Sequence, residues 1–117
     1  LEDGLYVLEE NLSNAAFKDK MVRFVRASMK GWKYAEQNPG EAAAIVVDND
    51  DSGAQTIEHN TTQMGEIVKL TAGSNGALDP ADYQRTVNSL MTSGSDPVIT
   101  KMPEGAWTHV ITDAALK

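Results

Sequence analysis

The longest run of helical spacing in the chain lies between Phe17 and Pro39. Apolar and small residues recur there every three or four positions, which places them on one face of a helix with about 3.6 residues per turn. The main stripe contains Phe17, Met21, Phe24, Ser28, Trp32 and Ala35, and a second stripe beside it contains Val22, Val25 and Met29. The pattern predicts a long helix that is buried on more than one side, with Trp32 as a structural anchor.

Candidate capping residues and a proline predict where the first two helices begin and end. Asn11 or Ser13 is placed to cap the first helix, because a short polar side chain can accept a hydrogen bond from a free N–H of the first turn. The helix then runs to about Gln37. Asn38 followed by Pro39 closes it and opens the second helix, since the residue before proline avoids helical angles and proline suits the first helical position.

Two further helices follow the same logic. Asp51 or Ser52 is expected to begin the third helix, and Gly73 is placed to end it in a left-handed conformation. The pair Asp79-Pro80 opens a fourth helix, which Gly94 stops. The sequence therefore predicts short helices separated by turns rather than one continuous helical array.

Two segments favour β-structure, and a third is ambiguous. Leu5–Leu8 is a short apolar run with an aromatic and a β-branched residue, which suits one buried strand, and Val98-Ile99 is a candidate strand fragment. The segment from Trp107 to the C-terminus keeps helical spacing, although Val110–Thr112 favours a strand equally well. The fold class predicted is mainly α, with about five helices and one or two short strands in a single unit, residues 1–117.

Composition excludes several classes of partner and cofactor. The 117 residues carry 17 acidic and 10 basic side chains, a net charge of −7, so general attraction to nucleic acid is unfavourable and none is expected as a partner. The chain has no cysteine, which excludes disulfides and thiolate zinc sites. No apolar run approaches the roughly 20 residues of a membrane span. The chain begins with Leu1 in mid-pattern, which indicates a piece of a longer protein.

One acidic loop matches part of a calcium-binding motif. Asp48, Asp50, Ser52 and Gly53 occupy the first, third, fifth and sixth places of an EF-hand loop between two predicted helices. The match fails at the twelfth place, where His59 stands instead of a bidentate glutamate. Helix capping is the favoured interpretation, and a calcium site at Asp48, Asp50 and Ser52 is the alternative.

No catalytic constellation is present. His59 and His109 are the only histidines, too few for a three-histidine zinc site, and no serine lies in a G-x-S-x-G elbow. We therefore expect neither an enzyme nor a cofactor. Tyr6 and Trp107 lie near segment ends, where an aromatic ring can face a cleft, so they are the candidate ligand-binding residues.

Several phrases of the sequence resemble the C-terminal portion of ABC-importer substrate-binding proteins, of the sulfonate, nitrate and thiamine-precursor branch. Those proteins have a hinge-crossing strand, a long helix ending in an alanine–glycine–tryptophan phrase, and an Asn-Pro-Glu-Glu-Ala-Ala-like helix start. The phrases that carry the resemblance are DGLYV at 3–7, FVRASMKGWKYA at 24–35, NPGEAA at 38–43, GALD at 76–79 with Tyr83, and the segment around Trp107.

The resemblance implies a two-lobed fold that traps a small organic solute between its lobes and delivers it to a membrane permease. Residues 1–10 would be a hinge-crossing strand, and residues 13–117 the helical part of an α/β type II periplasmic-binding-protein lobe. The resemblance also implies a periplasmic or extracytoplasmic location. The first lobe and the sheet are not in this chain, so the chain alone is not expected to bind ligand.

The unpaired strand leads to a further expectation. A strand built for an absent sheet exposes its N–H and C=O groups, which favours pairing with a second copy as a homodimer. A helical protein-interaction module, with calcium modulation through the acidic loop at 48–53, is the alternative function.

Overall fold

The protein is mainly helical. The structure, a computed structural model, describes residues 4–117. The five α-helices in chain order are α1 (Ala15–Gln37), α2 (Pro39–Asp48), α3 (Ile57–Thr71), α4 (Pro80–Thr92) and α5 (Thr112–Ala115), and a 3₁₀ turn (Glu9–Ser13) precedes them. The prediction of a mainly α fold with about five helices is confirmed. None of the described helices is long and apolar enough to cross a membrane.

Neither predicted strand is present in the described part of the chain. Residues 4–8 have no regular secondary structure, and residues 9–13 form the 3₁₀ turn. The strand expected over residues 1–10 is therefore wrong for its described part, and residues 1–3 lie outside the described residues. The Val98-Ile99 fragment is also not a strand. The physical reason is the same in both places: a strand needs a hydrogen-bonding partner, and no other described segment is extended beside it.

Helix α1 begins at a different cap from the two expected. The Phe17 N–H donates to Asn14 Oδ1 at 3.1 Å, so Asn14 caps the helix. Asn11 and Ser13 lie within the preceding 3₁₀ turn, where the Ser13 hydroxyl donates to the Glu10 carbonyl at 2.7 Å. The expected caps are wrong because a 3₁₀ turn occupies both positions before the α-helix starts.

Burial along α1 is smaller than the two apolar stripes predict. Val25 is its one buried residue, whereas Phe24 is 51% and Trp32 50% exposed. The prediction that α1 is buried on more than one side, with Trp32 as a core anchor, is therefore wrong. Helical spacing shows which residues share a face, but burial also needs a second surface to cover that face.

The described chain divides into two compact units, and the boundary falls within α1 between Arg23 and Phe24. Residues 24–75 form the unit that contains α2 and α3, which pack against each other. Ala42 and Ala43 of α2 are buried, and their small side chains allow the helices to approach closely. Asn60 is the buried residue of α3.

The turn between α2 and α3 is longer than predicted. Helix α3 begins at Ile57, capped by the Thr56 side chain, and not at Asp51 or Ser52. The latter residues belong to a turn in which Gly53 has a φ of 69°, a left-handed conformation that glycine adopts without strain. At the other end of α3, Gly73 is left-handed with a φ of 79°, as predicted.

The second unit contains the first part of α1 together with α4 and α5. Asp79 caps α4 by accepting a hydrogen bond from the Ala81 N–H at 2.7 Å, and Pro80 takes the first helical position, as predicted. Helix α5 covers only Thr112–Ala115, so the helix expected from Trp107 onward is wrong for residues 107–111. The Val110 N–H there donates to Thr108 Oγ1 at 3.2 Å instead of a helical carbonyl.

Candidate functional site

An open groove of about 670 Å³ lies within the unit of residues 24–75, between the last turns of α1 and the helices α2 and α3. We call it the α1–α3 groove. Its apolar lining residues are Trp32, Ile45, Val46, Met64 and Ile67, and its polar lining residues are Asn49, Asp50, Gln55, Asn60 and Gln63. The volume is in the range of small-molecule sites, which combine apolar surface with a few polar groups.

The end of α1 is fixed to the start of α2, which determines where Trp32 lies. The Asn38 side chain donates from Nδ2 to the Tyr34 carbonyl at 2.9 Å, and Pro39 then starts α2. A hydrogen bond to the Glu41 carboxylate raises the pKa of the Tyr34 hydroxyl, because that bond favours the protonated phenol. Trp32 therefore lies less than two helical turns before the constrained corner at Asn38, and half of its surface is exposed.

Asn60 contributes a preset hydrogen-bond acceptor to the groove. The residue is 5% exposed, and its Nδ2 donates to Gln55 Oε1 at 2.9 Å and to the Thr56 carbonyl at 3.0 Å. Because both partners are acceptors, they fix which end of the amide carries the N–H groups. Asn60 Oδ1 makes no hydrogen bond in the described chain.

Asn60 Oδ1 is also not fully buried. Among the described residues, no buried side-chain oxygen or nitrogen lacks a partner. Asn60 Oδ1 must therefore be accessible, and the surface that Asn60 lines is the α1–α3 groove. A buried amide with one open oxygen is well placed to accept a hydrogen bond from a ligand, because its conformation is already fixed.

Asp50 is the one charged residue of the lining, and the turn between α2 and α3 uses its carboxylate. Oδ1 accepts from the Ser52 hydroxyl at 2.5 Å and from the Ser52 N–H at 2.9 Å, and Oδ2 accepts from the Gln55 N–H at 2.7 Å. The Ser52 hydroxyl, followed by the Gln55 N–H, lowers the pKa of Asp50 from its ordinary value of 3.8. Asp50 is thus ionised at neutral pH and already paired.

These bonds bear directly on the calcium alternative. Asp50 and Ser52, two of its three residues, hydrogen-bond to each other, while Asp48 is exposed at the last position of α2. Within residues 4–117, no group of three or more histidine, aspartate or glutamate side chains is placed to hold a metal ion. The geometry is that of an Asp-Ser turn that positions Gln55 for its bond with Asn60.

The two residues expected to bind ligand, Tyr6 and Trp107, lie outside the groove. Trp107 packs between Tyr83 and His109, with ring centroids 6.2 Å and 4.8 Å away. His109 Nε2 donates to the Leu78 carbonyl at 2.8 Å, since a carbonyl can only accept. Tyr6 is 87% exposed, in the same unit as Trp107. Trp107 thus contacts two other rings and is still 40% exposed, so a ligand-binding role for Tyr6 and Trp107 stays a prediction.

Sequence reasoning missed most of the groove. Trp32 was expected in the core, and neither Asn60 nor Gln63 was identified as a candidate. One signal was available: positions 60, 63, 64 and 67 share one face of α3, and that face combines two amide with two apolar side chains. That face is unlike a plain apolar stripe, and it is the face that lines the groove.

Comparison of the chain with protein-family models, with curated proteins and with solved structures finds no match in any of the three. The resemblance to substrate-binding proteins therefore stays a prediction that rests on the quoted phrases. The function has to be argued from the groove itself.

Proposed function

We propose that this chain is a non-catalytic binding protein that captures a small organic solute in the α1–α3 groove. The observation that carries the proposal is the convergence of a half-exposed indole, Trp32, and an open, preset acceptor, Asn60 Oδ1, in one groove of about 670 Å³. An apolar ring surface with a few fixed polar groups is the usual construction of a small-molecule site.

The groove chemistry supports binding rather than catalysis. Its polar lining consists of four amide side chains and Asp50, whose two oxygens are already used by Ser52 and Gln55. Amides donate and accept hydrogen bonds without gaining or losing a proton at neutral pH. They can orient a solute, whereas general acid–base catalysis needs a group that exchanges protons.

The resemblance of the quoted phrases supports a role for this binding in an import system. Its two-lobed proteins close on a solute by rigid rotation of one lobe against the other. In that arrangement the α1–α3 groove would be one wall of the site, and a second lobe outside this chain would cover the solute. A membrane permease as partner and an extracytoplasmic location belong to this proposal, and they rest on the resemblance alone.

Because the groove is open, we expect it to bind a solute weakly. A solute covered on one side retains much of its hydration and gains only part of the contact area of an enclosed site. The sequence resemblance implied that this chain alone does not bind ligand. The groove changes that expectation to weak binding, with a dissociation constant of about 1 mM or weaker.

Saturation-transfer NMR on the 117-residue chain tests the proposal. The compounds are neutral sugars, amino acids, alkyl sulfonates and aminopyrimidines at millimolar concentration. We expect transfer to at least one class, lost in Trp32→Ala and kept in Phe24→Ala, a matched control because Phe24 is equally exposed on the same helix but does not line the groove. Absence of transfer to every class, or transfer that survives Trp32→Ala, would overturn the proposal.

A helical protein-interaction module is the second candidate. The observation that favours it is the exposure of three large apolar side chains, Leu5, Tyr6 and Leu8, near the start of the chain. Calcium modulation through the loop at 48–53 is the specific form to test. A rise in melting temperature on adding calcium would support that form, and an unchanged melting temperature would exclude it.

A further inference from the structure

We infer that the solute of the α1–α3 groove is a neutral saccharide, bound with one ring face on Trp32 and its hydroxyl groups on the surrounding amides. This inference rests on the proposed function, since it names the chemical class that the same groove would take. Three properties of the groove carry it: its aromatic surface, the hydrogen-bonding groups left open, and its charge.

The first property is the exposed half of Trp32. An indole face carries partial negative charge, and the axial C–H bonds of a pyranose form an apolar face of slight positive charge. The two surfaces are therefore complementary in shape and in charge. Trp32 is 50% exposed and lines the groove, so its indole is accessible there for a sugar ring to stack on.

The second property is the set of polar groups that the protein leaves open. Asn60 uses only its N–H groups, so its oxygen is available, and Asn49 donates from Nδ2 to the Ile45 carbonyl at 2.8 Å, which leaves its oxygen available too. Gln55 shows the reverse pattern, because its Oε1 accepts from Asn60 and its amide N–H groups remain.

The groove thus offers two open acceptors and one open donor group at fixed positions. Gln63 adds a fourth amide, with no side-chain hydrogen bond of its own. Each sugar hydroxyl both donates and accepts, so a polyhydroxylated ring can pair with both kinds of group at once. A ligand with acceptors alone would leave Asn60 Oδ1 and Asn49 Oδ1 unpaired, at the cost of desolvating them.

The third property is charge. No lysine or arginine is among the lining residues, so an anion would find no counter-charge and would face the Asp50 carboxylate. A cation would have Asp50 as its single counter-charge, and it would compete there with the Ser52 and Gln55 groups that already bind the carboxylate. A neutral ligand avoids both costs, which distinguishes this groove from a site for sulfonate or nitrate.

The test is an NMR titration of the 117-residue chain with glucose, galactose, mannose and maltose, with taurine and phenylalanine amide as comparators. We expect saturable shifts of backbone amides in α2 and α3 with at least one sugar, at a dissociation constant of about 1 mM or weaker. Trp32→Ala should weaken binding about tenfold, the loss of roughly one stacking contact and its buried area.

Two further variants test the saccharide inference even if Trp32→Ala fails to fold. Gln63→Met retains the length and the apolar stem of an exposed side chain but removes its hydrogen-bonding groups, so it should weaken sugar binding severalfold at unchanged melting temperature. Phe24→Ala, outside the groove, should bind sugar as the wild type does.

The outcomes separate this inference from the proposed function. If no sugar binds but taurine or phenylalanine amide binds with the same dependence on Trp32, the saccharide inference is wrong and solute capture stands. If sugar binding is unchanged in both Trp32→Ala and Gln63→Met, the α1–α3 groove is not the site and the inference is overturned. If no compound binds here or in the broader screen, both proposals fail.

Discussion

The side-chain amide of Asn60 uses its nitrogen for hydrogen bonds within the protein and leaves its oxygen open. Its nitrogen holds Gln55 and the Thr56 carbonyl, and its oxygen is open to the α1–α3 groove. Asp50 supports the same arrangement from the turn, because it accepts the Gln55 N–H. A chain of hydrogen bonds from Asp50 through Gln55 to Asn60 therefore fixes the polar side of the groove.

The lowered pKa of Asp50 makes the stability of the folded chain depend on pH. Its pKa in the folded chain lies below the ordinary value of 3.8, so folding favours the ionised form. The stabilisation is fully present above that value and is lost as the pH falls through the lower folded-state pKa. Melting temperatures of the wild type and Asp50→Asn should therefore differ at neutral pH and converge as the pH falls below 3.8 and through the folded-state pKa.

A gap that stays constant across this range would show that Asp50 stabilises the turn in some other way. Asp48→Asn is the control, because Asp48 is exposed and takes no part in these bonds. Its melting temperature at neutral pH should equal the wild-type value or exceed it slightly, since a negative charge at a helix C-terminus is unfavourable.

Val87 is the buried residue of α4, so we expect its truncation to destabilise the protein more than truncation of an exposed valine does. Its side chain is 3% exposed, whereas that of Val98 in the same unit is 70% exposed. Val87→Ala removes two buried methyl groups and should lower the free energy of unfolding by about 2 kcal/mol. Val98→Ala should change it by less than about 0.5 kcal/mol. Equal losses in urea unfolding of the two variants would contradict the burial of Val87.

Residue patterns predicted correctly which side chains share one face of a helix. They predicted less well whether another part of the protein covers that face. The spacing around Trp32 correctly identified an apolar stripe on α1, but it indicated core packing where the structure has an open groove. The open oxygen of Asn60 could not be foreseen, because it depends on two acceptors five and four residues earlier in the chain. Only the folded turn brings them to the amide nitrogen.

At the scale of elements, proline and glycine gave the most reliable boundaries. Pro39 and Pro80 start helices at the predicted positions, and Gly73 and Gly94 are left-handed at helix ends, with φ of 79° and 69°. Both residue types act through their own backbone limits, so the signal is local. Caps were less reliable because several polar residues competed, and Asn14 and Thr56 became the caps instead of their predicted neighbours.

The Thr56 cap gives a prediction for α3. Its hydroxyl oxygen accepts the His59 N–H at 3.1 Å, so Thr56→Ala should lower the free energy of unfolding by about 1 kcal/mol. Thr62→Ala is the matched control within the same helix, where an exposed threonine donates only to the Glu58 carbonyl. That change should be neutral or slightly stabilising, because alanine is the better helix former. If Thr56 does not cap α3, Thr56→Ala should be as close to neutral as Thr62→Ala.

At the scale of the whole molecule, apolar surface remains uncovered in both units. Six described residues are buried: Val25, Ala42, Ala43, Asn60, Val87 and Ala115. Leu5 and Leu8 are exposed in one unit, and Ile45 and Val46 are exposed in the other. Exposed apolar surface of this kind is typical of a protein that packs against a partner.

Self-association through the first residues is therefore a prediction to test, although the expected strand there is absent from residues 4–10. Light scattering at high concentration should give a mass near twice 12.6 kDa. The double variant Leu5→Glu/Leu8→Glu should return the chain to a monomer, because buried charge opposes the contact. Val98→Glu, also at an exposed apolar residue, should remain a dimer. A wild-type monomer at every concentration would contradict dimerisation.

If the α1–α3 groove is a solute site, as we propose, the two indole N–H signals of the chain should respond differently to a ligand. The chain contains two tryptophans, Trp32 in the groove and Trp107 packed against Tyr83 and His109. In a titration with the sugars, taurine and phenylalanine amide, we expect at least one compound to shift the Trp32 indole signal in a saturable way. The Trp107 indole signal should not shift. A Trp32 signal that no compound moves, or equal shifts of both indoles, would contradict this proposal.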